Sequence, residues 1–483
     1  MNRELKTLTR VVIAMFLALF VATSLVQVVY ADSLRADPRN VRTLYDSYSA
    51  QRGSILVDGT PIAYSSPVND VYRYQRIYAD GEMYAPITGY FTLNQGITGI
   101  EGALNAELSG SSNSQFLDSL ASIITGQPPS GDSVELTIDP AVQLAAWQAL
   151  QGYRGSIVAY EPATGRILAM VSTPSFDPNV LASHDSAQVI AQYDSLLADA
   201  GSPLDNRAIA GALNPPGSTF KLVTASAALE NGYQPDFALA NPSSYQLPGT
   251  STSISNAGGG QCGPGETVTI ADALRMSCNI PYAELGGLLG QDALRSQAEA
   301  FGFNTELSIP LTVTASSFPG ELDDAQLALS AFGQYEDRVT PLQMAMISAT
   351  IANGGLQMKP TLVDQILAPD LSVRRQSGPE ELGHPITAET SALLTQMMIA
   401  NVSNGAASNA RMDGVSVAGK TGTAENGRDD PYTLWFTGFA PADNPRVAIT
   451  VLIEDGGGLG QSGSGNTIAA PIARRVLEAV LLR

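Results

Sequence analysis

From Val11 to Tyr30 the chain runs for 20 residues without a charged side chain, about the length of helix that a hydrocarbon core roughly 30 Å thick requires. This predicts a single membrane span. Arg3, Lys6 and Arg10 precede the stretch, and an acidic segment opening with Asp32 follows it. By the positive-inside preference, residues 1–10 form a cytoplasmic tail, 11–30 the anchor, and the remaining chain faces outward. A cleaved signal peptide is the competing reading, because Val29-Tyr30-Ala31 resembles a small-residue cleavage site. The apolar stretch is, however, longer than the roughly 7–15 residues of a signal-peptide core.

The chain is acidic and poor in lysine. With 26 Lys+Arg against 46 Asp+Glu the formal charge is −20, and the lysines are Lys6, Lys221, Lys359 and Lys420. Cations so scattered cannot track a phosphate backbone, which excludes nucleic acid as a partner. Two histidines (His184, His384) and two cysteines (Cys262, Cys278) are too few for a Cys/His zinc site or a histidine relay, so no metal and no cofactor are expected. Both histidines lie in polar, loop-like sequence and read as surface residues. A chain of 483 residues that is 44% hydrophobic is long enough for two or three domains with a sizeable core.

Residues 31–132 alternate short β-like runs with turn residues and read as a small α+β module, ending in a Ser/Gly/Pro-rich linker between Ser109 and Asp132. From 133 to 483 a second domain is expected. Gly155–Tyr160 and Arg166–Val171 form a hairpin across a Glu161-to-Gly165 turn, and a helix-rich middle extends from about Asn206 to Met398. Strand candidates Gly414–Gly419, Thr433–Phe439 and Arg446–Glu454 then precede a helix over Ile468–Leu482. The fold class is α+β, with one antiparallel sheet of about five strands whose halves are separated by a helical insertion.

Three short patterns carry chemistry. Ser218-Thr-Phe-Lys221 follows Pro-Pro-Gly at the start of a helix that runs to Asn231-Gly232. The serine sits where the helix dipole favours developing negative charge, and a lysine three residues on shares its face. Burial would strip that lysine of its proton, leaving a base for the serine where no histidine is available. Taken alone, the same pattern describes an N-cap serine beside a solvated lysine. Ser277-Cys278-Asn279 offers a hydroxyl to relay a proton and an amide to hold a peptide, though by itself it is also an ordinary turn. Lys420-Thr421-Gly422-Thr423 lies on an edge-type strand, where a glycine permits close backbone approach and the lysine offers charge to a carboxylate. Of the three lysines beyond the tail, two fall within these patterns.

In this order, S-x-x-K, S-x-N and K-T-G resemble the penicillin-recognising serine acyl transferases. Gln51-Arg-Gly-Ser-Ile-Leu56 and Gly96-to-Glu101 look like the N-terminal module of class B penicillin-binding proteins. Val134–Asp139, Met170–Asn179, Gly333-Gln334 with Thr340–Met344, and Ala352–Gly355 look like their transpeptidase domain. The similarity covers nearly the whole chain and is greatest to the short actinobacterial type. It implies a peptidoglycan D,D-transpeptidase, covalently inhibited by β-lactams, in which Ser218 attacks the penultimate D-Ala of a stem peptide with Lys221 as base. Ser277 and Lys420 would return the proton to the leaving amine and Asn279 would hold the donor. Thr421, Gly422 and Thr423 would bind the terminal carboxylate, and the backbone N–H groups of Ser218 and Thr423 would form the oxyanion hole. Thr433 stands where family members often carry a histidine, two positions before Trp435. Implied partners are a membrane glycan polymerase of the shape, elongation and division type and cell-division proteins, with residues 31–132 as a non-catalytic pedestal.

A D,D-carboxypeptidase or β-lactamase would use the same nucleophile with water as acceptor, and a scaffold would keep the motifs without turnover. Glu101-Gly-Ala-Leu-Asn105 matches the local pattern around a deacylating glutamate, but it precedes Ser218 by 117 residues and reads as structural. Cys262 and Cys278, an even pair on an outward-facing chain, favour a disulfide that would fix the S-x-N loop, with two buried thiols as the alternative.

Overall fold

The computed structural model describes residues 2–30, 50–112, 115 and 130–482. Ala31, Asp32 and most of the expected linker lie outside the described residues. The apolar N-terminal segment is a helix, Asn2–Ser24, continued by a wider turn over Leu25–Val29. It is the one helix among the described residues long and apolar enough to cross a membrane. Its large side chains, such as Phe16 and Phe20, are exposed.

Five strands form the sheet that carries the K-T-G segment. Their spatial order is Ala418–Ala424, Thr433–Ala440, Val447–Ile453, Gly155–Tyr160 and Ile167–Thr173, all antiparallel. The two N-terminal and three C-terminal strands thus close one sheet around a helical insertion, as the sequence predicts. The strands read as continuous apolar runs because both faces are covered. Side chains alternate across a sheet, so Ile157 and Ala159 pack with Val142, Leu150, Val476 and Leu477 from the helices Pro140–Leu150 and Ala470–Leu481. Val158 and Tyr160 join the opposite core, with Ile347 and Ile351 of the helix Pro341–Ala352.

The K-T-G strand starts four residues later than expected. Gly414 adopts φ 74° beside a bridge between Met412 and Val415, so the chain turns there before it extends. The strand then runs past Gly419 to Ala424, with Lys420 opposite Thr437 and Gly422 opposite Trp435.

A second, six-stranded sheet has the order Val373–Gln376, Val363–Leu367, Ser133–Leu136, Ile55–Val57, Thr60–Pro67 and Tyr74–Tyr78. It draws strands from both sides of residue 132, with Ile55–Val57 and Ser133–Leu136 paired in parallel. Beside it lies a buried charge cluster. Arg52 Nε and Arg76 Nε reach the two carboxylate oxygens of Glu101 at 2.5 and 2.6 Å, and none of the three side chains is more than 1% exposed. Arg52 also donates to Asn105 Oδ1 at 2.7 Å and lies 4.4 Å from the Phe91 ring centre. Burial by itself would raise the Glu101 carboxyl, but the two guanidiniums outweigh it and hold the group below its ordinary value.

Glu101→Ala leaves two buried cations unpaired, and an expected loss of about 3–5 kcal/mol follows from breaking such a cluster. Thermal unfolding of the full chain in detergent measures it. Because the folded pKa is depressed, the carboxylate's contribution is complete above the unfolded value of 4.5 and is lost as pH falls through the lower folded one.

Candidate active site

The nucleophile candidate lies in a tight turn, Gly217–Thr219, that leads into the helix Lys221–Glu230. Gly217 takes φ 51°, and its N–H donates to Gly333 O at 3.0 Å. The turn lies directly against the K-T-G strand. A Cβ on Gly422 would meet Pro216 O at 3.0 Å and Trp435 Cβ at 3.1 Å, so a side chain there would need its neighbours to give by a few tenths of an ångström. Trp435 Nε1 donates to Pro215 O at 2.9 Å, tying the turn to the neighbouring strand as well.

Around this turn the three motifs converge. Lys221 Nζ lies 2.9 Å from Ser218 Oγ, 2.8 Å from Ser277 O and 2.8 Å from Asn279 Oδ1. Lys420 Nζ donates to Ser277 Oγ at 2.5 Å and to Thr421 O at 2.8 Å. Both lysines are 0% exposed. Burial, and secondarily the charge of Lys420, pushes Lys221 well below the ordinary lysine value. Burial brings Lys420 down to about 7. Among the described residues, no carboxylate offsets either shift.

A neutral amine has two N–H groups and one lone pair. Ser277 O and Asn279 Oδ1 can only accept, so they take the two N–H groups, and the lone pair is left for the hydroxyl proton of Ser218. Ser277 itself sits at φ 61°, between the helices Ile270–Met276 and Ile280–Leu289. That turn carries its carbonyl toward one lysine and its hydroxyl toward the other.

The remaining sequence candidates fall into place around these groups. Thr421 Oγ1 donates to Ala406 O at 3.1 Å, and Thr423 Oγ1 accepts from the Gly465 N–H at 3.2 Å. Cys262 and Cys278 are joined in a disulfide with a Cα–Cα separation of 5.8 Å. Glu101 belongs to the arginine cluster described above, far from this chemistry in the fold as in the sequence. His384 is exposed, but His184 is not the simple surface residue expected. Its Nδ1 lies 2.5 Å from Asp70 Oδ2 and its ring 4.7 Å from that of Tyr72, contacts with a hairpin that sequence spacing gave no reason to bring near.

Sequence reasoning also missed several supports. Thr433 Oγ1 donates to Asn214 Oδ1 at 3.2 Å and accepts from Asn426 Nδ2 at 3.0 Å, so the residue at the often-histidine position ties the cleft rim to the segment before Ser218. Gln334 Nε2 donates to Thr423 O at 3.3 Å, and Gln334 Oε1 accepts from the Glu425 N–H at the same distance. Gly333-Gln334, which resembles the transpeptidase domain together with Thr340–Met344, was the available signal, and it gave no contact with Lys-Thr-Gly.

Residues 155–478 match the model of the penicillin binding protein transpeptidase domain. The chain belongs to that family. Residues 52–134 match the model of the penicillin binding protein A dimerisation domain. Among relatives, a peptidoglycan D,D-transpeptidase PbpA of Mycolicibacterium smegmatis is 43% identical over all of this chain and 99% of the relative. Its namesake from Mycobacterium tuberculosis is 40% identical over the same shares. The structure of M. tuberculosis penicillin-binding protein A as a ceftriaxone acyl-enzyme superposes with TM-score 0.87 at 40% identity, covering 90% of this chain and all of that one. Its penicillin G acyl-enzyme gives 0.85 at the same identity, covering 89% of this chain and all of that one. This penicillin-binding family member therefore shares both modules with proteins solved as β-lactam adducts.

Replacing both cysteines by alanine removes the closure of a 16-residue separation. The expected loss is about 3 kcal/mol in the chain-entropy account, read from denaturant unfolding of the full chain in detergent.

Proposed function

We propose that the chain is a peptidoglycan D,D-transpeptidase that cross-links stem peptides through an acyl-enzyme on Ser218. The observation that carries this reading is the fully buried Lys221 Nζ, pushed well below the ordinary lysine value, 2.9 Å from Ser218 Oγ. As Oγ attacks the carbonyl carbon of the penultimate D-Ala, its proton passes to Lys221 Nζ. The developing oxyanion accepts from the backbone N–H groups of Ser218 and Thr423, a kind of contact worth about 2.7–4 kcal/mol per donor.

Collapse of that intermediate breaks the peptide C–N bond, and the leaving nitrogen takes a proton from the Ser277 hydroxyl, which is replenished from Lys420 at 2.5 Å. Terminal D-Ala departs, and the amino group of a second stem attacks the ester carbonyl, its proton passing through Ser277 back to Lys420, while the C–Oγ bond breaks and Lys221 returns its proton to Ser218. Asn279 holds the donor peptide, while Thr421 and Thr423 hold its terminal carboxylate along the edge strand. A β-lactam enters the same sequence, but the amine released on ring opening stays attached to the acyl group. No step needs a metal or cofactor.

The N-terminal helix anchors the chain with residues 1–10 cytoplasmic and the catalytic domain, residues 133–483, outside the cell membrane. Residues 31–132 act as its pedestal. A separate membrane polymerase of the shape, elongation and division type supplies the glycan, and cell-division proteins engage the anchor and pedestal. Arg3, Lys6 and Arg10 ahead of the apolar helix, and the length of that helix, support this orientation of the anchor.

Full-length protein in detergent is expected to form one stable adduct with fluorescent penicillin, absent in Ser218→Ala. Lys221→Ala is expected to slow acylation about 10²–10⁴-fold, the usual contribution of a general base. Because Lys221 works as the neutral amine, the acylation rate constant falls as pH drops through its depressed pKa. Intact mass spectrometry and stopped-flow labelling read these outcomes, and rapid release of hydrolysed penicillin would instead mark a hydrolase.

A further inference from the structure

The helix Ile280–Leu289 begins with an omission. Asn279 occupies its N-cap position, and asparagine is among the residues best suited to cap a helix with its own side chain. Yet Asn279 makes no side-chain cap here. Its Oδ1 accepts from Lys221 Nζ at 2.8 Å, and its Nδ2 donates to Ser255 O at 3.2 Å. The N–H groups at the start of the helix still need an acceptor.

Asn256 supplies it. Its Oδ1 accepts from the N–H of Asn279 at 2.9 Å and from that of Ile280 at 3.0 Å, while its Nδ2 donates to Gly260 O at 3.0 Å. The residue is only 5% exposed although the loop around it is open to solvent. The same loop is fastened at its far end. Cys262 is bonded to Cys278, and the buried Asn241 accepts from the Cys262 N–H at 2.6 Å and donates to Gly265 O at 3.0 Å.

We propose that Asn256 is a positioning residue, holding the backbone N–H groups of Asn279 and Ile280 so that the Asn279 amide is set to orient Lys221. The inference rests on the transpeptidase reading of Lys221 and Asn279. Pro281 has no N–H, so a cap by Asn279 itself could reach only the Tyr282 N–H, and turning Oδ1 there would cost Lys221 one of its two carbonyl acceptors. The grip of Asn256, 23 residues upstream, fixes the backbone from which Asn279 reaches Lys221, and the covalent tether to Cys278 keeps the loop in register with that turn.

The test is a double-mutant cycle on the full chain in detergent, read as the second-order rate constant for acylation by fluorescent penicillin at a temperature where each variant is folded. Asn256→Ala is expected to lower that constant by roughly tenfold, in line with the loss of a cap of about 1 kcal/mol. Asn256→Asp, which keeps an acceptor for both N–H groups, is expected to stay within about threefold of the parent. In an Asn279→Ala background, Asn256→Ala is expected to add little, because its effect runs through the missing amide. Full additivity, or a parental rate in Asn256→Ala, overturns the proposal. If the alanine variant does not fold, Asn256→Gln keeps the amide but displaces its oxygen by a methylene. A rate like the parent's in that variant overturns the proposal, and a roughly tenfold loss supports it. If the parent itself is not acylated at Ser218, it is the transpeptidase reading that fails.

Discussion

Two lysine side chains taken wholly out of water govern the arrangement of everything near them. An isolated ammonium in a protein interior is so costly that the group gives up its proton or finds a counter-charge. Burial, with a second lysine nearby, pushes Lys221 well below the ordinary lysine value and so favours the amine, whose two N–H groups must be accepted if the third direction is to be a lone pair. The left-handed turn at Ser277 provides one acceptor through its carbonyl, and Asn279 provides the other. A remote asparagine, Asn256, holds the backbone N–H groups of Asn279 and Ile280 while the Asn279 side chain serves Lys221.

The same demand shapes the sheet. For Lys420 to reach Ser277, the edge strand must lie against the turn that carries Ser218, and that contact is tight, with Pro216 O 3.0 Å from where a Cβ on Gly422 would stand. A buried sheet holds such a geometry well because both of its faces are packed. The helix Pro341–Ala352 lies on one face, and the pair Pro140–Leu150 and Ala470–Leu481 on the other, which restrains the strands against sliding. Rigidity at this position lets proton transfers run over hydrogen bonds without rearrangement of the backbone.

Some features were legible because they are local or periodic. The hairpin Gly155–Thr173 and the strands after residue 432 were readable from apolar runs bounded by turn residues, and Lys221 three residues after Ser218 follows from helical spacing. Other features were out of reach because they join residues distant in sequence. Val363–Leu367 pairs with Ser133–Leu136 across more than two hundred residues, and nothing in either segment names its partner. The K-T-G strand was displaced by four residues, since a glycine inside an apolar stretch does not announce whether it turns the chain or extends it. His184 looked solvated because its neighbours are polar, whereas its environment is made by Asp70 and Tyr72 from another element.

The sequence by itself determined which groups could react and roughly where the elements lie, because side-chain chemistry and hydrophobic period are properties of short segments. It determined the apolar N-terminal helix on the same grounds. Only the tertiary structure decided that both lysines are taken out of water, that Ser277 faces both of them, and that Asn256 holds the first N–H groups of the following helix. Those outcomes depend on desolvation and on competition for hydrogen-bond acceptors, which exist only once segments far apart in the chain have been packed together.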